Sequence, residues 1–240
     1  MADDLNKRLD IRTYDTSSER KAKERFDRIA KPIDGLGVLE DLICRIAGIQ
    51  GRTDVDISKR IVVIMCADNG ITEEGISQTS CEVTAKVVGS MSKGRSSVCL
   101  MAESAGADTL PVDIGIKQTG DICSFDDLTE GEKGHYRLLN RKVANGTADF
   151  AVQPAMTEQQ FDAAFFNGVR LAGELSERGY QIICTGEMGI GNTTTAAGIT
   201  SALLKLPASE TAGRGSGLSD EAYERKIRVL DQAIQRYDLY

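Results

Sequence analysis

The chain has 240 residues, 41% of them apolar and 27% charged, with 24 glycines, 4 prolines and a formal net charge of −7. That length suits an α/β domain with a full hydrophobic core, and the composition excludes a disordered or fibrous chain. The acidic balance lacks the basic excess that neutralises a phosphodiester backbone, so nucleic acid is not an expected partner, while one small anion can still be held by a local cationic pocket.

From the N-terminus, Ser17 to Ala30 places Ala22, Phe26, Ile29 and Ala30 on one helical face, and Leu39, Leu42, Ile43, Ile46 and Ala47 repeat that spacing. Both segments read as amphipathic helices, separated by a turn at Lys31-Pro32-Ile33-Asp34-Gly35-Leu36-Gly37. Ile61 to Cys66 is a continuous apolar run rich in β-branched residues and is followed by Ala67-Asp68-Asn69-Gly70, as expected of a strand buried on both faces and ending in a turn. The strongly apolar stretch Ile61 to Ala67 is far shorter than the ~20 residues of a membrane-spanning helix. The opening Met-Ala-Asp-Asp has neither the cationic nor the apolar segment of a secretory signal, so the expectation is a cytoplasmic protein without membrane contact.

Helices are expected near Glu82 to Ser92 and Ser96 to Ala105, then a strand from Thr109 to Ile114. Gly115 to Arg141 is polar and weakly periodic and reads as a long loop carrying short elements, with His135 exposed in it and no candidate for a catalytic base. A long helix, Thr157 to Arg178, carries Phe161, Phe165, Ala172 and Leu175 at helical spacing; a strand follows from Tyr180 to Cys184. The final helix, from Ser219 almost to Tyr240, aligns Tyr223, Ile227, Leu230 and Ile234. Strands alternating with helices predict a mainly parallel sheet with helices on both faces and ligands at the carboxyl ends of the strands. Six cysteines, without a CxxC pair and with a single histidine, argue against structural zinc; Cys66 and Cys184 lie in apolar runs and read as buried thiols.

The segment richest in chemistry is Thr185-Gly186-Glu187-Met188-Gly189-Ile190-Gly191-Asn192-Thr193-Thr194-Thr195, where a strand, a glycine-rich turn and a helix start coincide. Glycines let backbone N–H groups approach an anion, and the helix N-terminus adds unpaired donors and partial positive charge. The spacing is not GxGxxG, and Asn192 stands where a P-loop has lysine, so a mononucleotide or sugar phosphate is the expected ligand. The alternative is that Asn192 or Thr193 merely caps the helix while the glycines pack. Glu187 beside such a cradle is repelled by phosphate and suits ribose hydroxyls or a cationic ring, which points to a ribonucleotide. Gly213-Arg214-Gly215-Ser216-Gly217, ahead of the helix bearing Lys226, either adds donors and a cation or is a plain flexible loop. Asp68 and Asp113 end predicted strands, at the sheet edge where ligands bind; each is equally an Asx turn.

Several segments, in order, resemble the motifs of the nicotinate-nucleotide:dimethylbenzimidazole phosphoribosyltransferase family across almost the whole chain. They are Lys31-Pro32 with Gly35-Leu36-Gly37-Val38-Leu39-Glu40, Ala67-Asp68-Asn69-Gly70 with Glu74-Gly75 and Glu82-Val83-Thr84, Val112-Asp113-Ile114-Gly115, Gly146-Thr147-Ala148-Asp149-Phe150, Pro154-Ala155-Met156-Thr157 and Gly186 to Thr194. The resemblance implies an α/β fold with a Rossmann-like, mainly parallel sheet flanked by helices over residues 59–240, a helical part of a small domain over 1–58, and a homodimer. It implies phosphoribosyl transfer from nicotinate mononucleotide to 5,6-dimethylbenzimidazole or a related azole, with inversion at the anomeric carbon, in building the lower ligand of cobalamin. No cofactor and no metal are implied.

Carried over residue by residue, the resemblance assigns Glu187, Met188, Gly189, Ile190, Gly191, Asn192, Thr193, Gly215 and Lys226 to the nucleotide, and Asp68, Thr79 and Val87 to the base. Asn69 stands where the family has histidine, and Thr79 and Val87 replace a serine and a glutamine, which leaves an adenine, a phenol or another benzimidazole open as acceptor. Family members continue past Tyr240 to a Gly-Glu-Gly segment whose glutamate is the proposed general base, and these 240 residues hold no counterpart. The expectation is therefore a C-terminally incomplete transferase, impaired alone or completed by another chain. The competing reading is a non-catalytic nucleotide-binding subunit or regulator.

Overall fold

The computed structural model describes residues 13–118 and 120–239. The described residues divide into two compact units, with the boundary between Ser58 and Lys59.

In the first unit, α1 (Thr16–Asp27) starts where the Asp15 side chain accepts hydrogen bonds from the N–H groups of Ser17 and Ser18. Helix α2 (Val38–Gln50) ends at Gly51, whose left-handed φ of 65° suits a residue without Cβ. Ala22, Cys44 and Ala47 form the core, with Phe26 and Val55 packed on it. The expected faces are only partly right. Helix α1 stops at Asp27, which leaves Ile29 exposed in the following turn, and Leu39 and Leu42 are exposed on α2. The buried stripe of α2 is Glu40, Cys44, Ala47 and Gly48. Glu40 is drawn inward because Lys23 and Lys31 each reach it at 2.9 Å. Lys23 also meets Asp27 and Asp34, so three carboxylates that converge closely enough for a cation already surround an ammonium.

The second unit is built on four parallel strands, β1 (Arg60–Ala67), β2 (Asp108–Gly115), β3 (Leu139–Asn140) and β4 (Ile182–Met188), in the order β3-β2-β1-β4. Helices α3 (Glu82–Met91) and α4 (Ser97–Ser104) connect β1 to β2, α5 (Glu158–Glu177) connects β3 to β4, and α6 (Asn192–Leu204), α7 (Ala208–Thr211) and α8 (Asp220–Arg236) follow. Alternate residues of β1 feed opposite layers, as a pleated strand requires. Ile61 and Val63, with Leu110 and Val112 of β2, pack on Leu171 and Leu175 of α5. Ile64 and Cys66 pack on Val88 and Met91 of α3 and Cys99 of α4. Helices thus cover both faces of the sheet, and no helix among the described residues is long and apolar enough to cross a membrane.

Three expectations are corrected here. Strand β4 begins at Ile182 and runs through Met188, four residues past the expected end, because its ladder with β1 continues through Ile64↔Gly186 and Cys66↔Met188. Cys184 is exposed, since β4 pairs only with β1 among the described residues and carries an exposed run from Ile183 to Thr185; Cys66, in the sheet interior, is buried as expected. His135 is buried at 4% exposure, because its stretch of the long loop folds along the start of β2. Tyr136 N–H donates to Thr109 O, and His135 Nδ1 lies 2.8 Å from Thr109 Oγ1. On α5 the buried face is Asn167, Leu171 and Leu175, while Phe161 and Phe165 stack together on the exposed side.

Candidate functional site

From β1 the chain passes by α3 and α4 to β2 on one side of the sheet, and later returns through α5 to β4 on the other. The carboxyl ends of β1 and β4 therefore flank a topological switch point, the position where open α/β sheets bind ligands. Ala67-Asp68-Asn69 leaves one side of this crevice and Gly189-Ile190-Gly191 the other.

The loop geometry explains the glycines. A Cβ on Gly189 would lie 2.0 Å from Ala67 O, and one on Gly191, already at φ 90°, would lie 3.0 Å from Thr72 Cγ2. Hydroxyl and amide side chains then stitch the two sides together. Asn69 Nδ2 donates to Ile190 O at 3.2 Å and Asn69 Oδ1 accepts from Thr195 Oγ1 at 3.1 Å. Thr84 Oγ1 accepts from Ile190 N–H at 3.2 Å, so that amide is spoken for. The N–H groups of Gly191 and Thr193 donate to no described residue. Gly191 is the N-cap of α6, and neither Asn192 nor Thr193 caps it with a side chain. The first turn of α6 thus presents open donors and the positive end of its dipole.

The second glycine cluster folds onto this turn. Gly215, at φ 54°, sits so close to Thr193 that a Cβ would be 3.2 Å from its Oγ1. Lys226, from α8, is completely buried and its Nζ donates to Thr193 Oγ1 and Gly213 O, each at 2.9 Å. Both acceptors are neutral, and burial holds the ammonium below the usual lysine range. Thr194 Oγ1 is buried here without a partner. Arg214, by contrast, is engaged by Asp220 and Leu218 O and lies over the Tyr223 ring. Glu187 is the penultimate residue of β4, so it stands on a strand instead of in the turn; its side chain is solvent-accessible, yet partial burial raises its carboxyl above the ordinary glutamate value. Met188 packs inward against the cluster containing Ile64, Cys66 and Val88.

A separate cavity of about 390 Å³ lies along the segment after β1 and is walled by Asp68, Thr72, Glu73, Thr79, Ser80, Cys81, Glu82, Lys117 and Gln118. Asp68 and Thr79 are therefore together, whereas Val87 packs into the core beside Val88 and is absent from the wall. Asp113 is a turn carboxylate: Oδ1 accepts from Ile116 N–H at 2.9 Å and Oδ2 lies 3.5 Å from Lys142 Nζ. Sequence reasoning missed the stitching roles of Thr84, Thr147 and Thr195. Thr147 Oγ1 accepts from Gly70 N–H at 3.1 Å, while its own N–H donates to Asp68 O at 3.0 Å. Small hydroxyl residues have no periodicity to betray such contacts; only their recurrence inside motif segments hinted at them.

A phosphoribosyltransferase family model matches residues 11–239. The nicotinate-nucleotide–dimethylbenzimidazole phosphoribosyltransferase of Acetivibrio thermocellus is 41% identical over 212 residues, which cover 88% of this chain and 57% of that protein. The Clostridium tetani protein of the same name is 38% identical, over 94% of this chain and 59% of its own length. The crystal structure of CobT from Thermus thermophilus matches with a TM-score of 0.79 at 34% identity, covering 92% of this chain and 62% of that one. The chain thus spans about three fifths of the length of these relatives.

Proposed function

This chain belongs to the phosphoribosyltransferase family, and we propose that it takes part in transferring phosphoribosyl from nicotinate mononucleotide to 5,6-dimethylbenzimidazole or a related base, giving α-ribazole 5′-phosphate and nicotinate. The observation that carries this reading is Lys226, a fully buried ammonium held by two neutral oxygens at the N-terminus of α6. A buried cation without a counter-charge is costly, and a phosphate seated against it and the open amides would offset that cost.

In this reading Lys226, Gly191, Thr193 and the Gly215 loop hold the 5′-phosphate, with Gly189, Ile190 and Asn192 shaping the turn. Glu187 and Met188 end the strand beside the sugar and pyridinium. The ring leaves as neutral nicotinate when the C1′–N bond breaks, so the protein's task is to fix the phosphate and aim the acceptor at the opposite face of the anomeric carbon. The cavity at Asp68 and Thr79 is the place for that acceptor. Assembly as a homodimer, or with a complementing chain, belongs to the same proposal; the exposed Ile199, Leu203 and Leu204 on α6 supply apolar surface for it.

Titration calorimetry tests the phosphate site. Lys226→Met is expected to weaken nicotinate mononucleotide binding by about 10- to 100-fold, the loss of a charged hydrogen bond. Nicotinate riboside, which lacks the phosphate, should bind wild type and variant alike. Equal loss for both ligands, or none for either, refutes the assignment. Release of nicotinate on adding benzimidazole separates a transferase from a nucleotide-binding subunit.

A further inference from the structure

The turn between β4 and α6 is a run of peptide units whose hydrogen bonds can be followed one unit at a time. In the unit joining Gly189 to Ile190, Gly189 O accepts from Asn192 N–H at 3.1 Å and Ile190 N–H donates to Thr84 Oγ1 at 3.2 Å. In the unit joining Gly191 to Asn192, Gly191 O accepts from Thr194 N–H at 2.9 Å, and the Asn192 N–H is the donor to Gly189 O. Both units are held at both ends. The unit between them, from Ile190 to Gly191, is held differently. Its Gly191 N–H donates to no described residue, and among the described residues Ile190 O accepts only from Asn69 Nδ2, at 3.2 Å.

A trans peptide is planar, so its C=O and N–H point in opposite directions; the described residues contain no cis bond. Drawing Ile190 O towards Asn69 therefore turns the Gly191 N–H the other way. Reversing this unit would exchange the two groups by carrying φ of Gly191 from 90° to the negative region, which glycine adopts as readily. Backbone sterics at a glycine do not choose between the two orientations, so the choice falls to the Asn69 donor. The carboxamide is itself fixed. Asn69 is buried, and its Oδ1 accepts from Thr195 Oγ1 at 3.1 Å in the first turn of α6, which leaves the Nδ2 end for Ile190 O.

We propose that Asn69 is a positioning residue that sets the polarity of this turn, so that the Gly191 N–H and not the Ile190 carbonyl is presented to an anion at the N-terminus of α6. This deepens the reading of that N-terminus as the phosphate site and rests on it. With the unit reversed, a carbonyl oxygen would face the phosphate and repel it. Asn69 touches no ligand in this account and acts through the peptide that it orients.

The experiment titrates nicotinate mononucleotide into isotope-labelled wild type and Asn69→Leu and follows the Gly191 and Thr193 amides by NMR, with nicotinate riboside as the phosphate-free control. Leucine is close to asparagine in size and has no donor. In wild type both amide protons should move downfield as they bond to the phosphate. Asn69→Leu should keep the Thr193 response, lose that of Gly191 and bind the mononucleotide about tenfold more weakly, with riboside binding unchanged. Should thermal unfolding show that leucine is not tolerated, Asn69→Asp gives the same readout, because it keeps the shape and the bond from Thr195 but has no donor for Ile190 O. A Gly191 response that survives in a folded variant, or that is missing from wild type while Thr193 responds, overturns the role of Asn69. Loss of both responses together with weaker riboside binding means general damage to the turn, and overturns it equally. Silence of both amides in wild type refutes the phosphate site itself, and this inference with it.

Discussion

Glu40 and Lys226 are both buried charges, and what faces them decides their consequences. Glu40 is met by two lysines, which hold its carboxyl below the usual glutamate range, Lys31 more strongly than Lys23. Lys226 meets only a hydroxyl and a carbonyl. Because burial lowers its pKa from 10.5, the unfolded chain holds more protons in the interval below 10.5. The cost of burying the ammonium is therefore fully present below that interval and is relieved as pH rises through it. Urea unfolding of wild type and Lys226→Met should show wild type gaining on the variant as pH climbs towards 10.5; a pH-independent difference contradicts the burial argument. Gly189 makes a steric prediction. Its missing Cβ would fall 2.0 Å from Ala67 O, a backbone atom that cannot swing away. Gly189→Ala should cost about 1–3 kcal/mol by denaturant unfolding and displace the loop that Asn69 holds.

At the scale of elements, helix α5 carries the clearest local signal in the chain. Thr157 caps it, with Thr157 Oγ1 accepting from Gln160 N–H and Gln160 Oε1 accepting from Thr157 N–H. Thr157→Ala should lower stability by about 1 kcal/mol in chemical denaturation without changing the slope. Helix α6 is the opposite case, begun by a glycine with no side-chain cap, so its first turn keeps open amides. Strand β4 shows why boundaries blur. Gly186 and Glu187 look like the start of a turn, yet their pairing with Ile64 and Met65 keeps them in the sheet. That pairing is a long-range fact with no trace in local composition, although the order strand, glycine turn, helix was legible from Ile183 to Thr195.

At the scale of the molecule, the packing of each unit sorts the thiols. Cys44, Cys66 and Cys99 are buried, Cys123 and Cys184 are exposed, and burial pushes the Cys66 thiol up to about 12. Titration with a chromogenic disulfide under native conditions should label Cys123 and Cys184 quickly, and the three buried thiols only on unfolding. Fast labelling of Cys66 would mean that the layer of α3 and α4 does not cover β1 as described.

Amino-acid order alone determined the alternation of strands and helices, the apolar centre of the sheet and the glycine-rich turn before α6, because each is written in residues close together in the chain. Tertiary structure decided that Lys226 is buried against Thr193, 33 positions away, and that His135 lies inside and Cys184 outside. Those outcomes depend on which distant groups meet, and hydrogen bonding and desolvation act on neighbours in space.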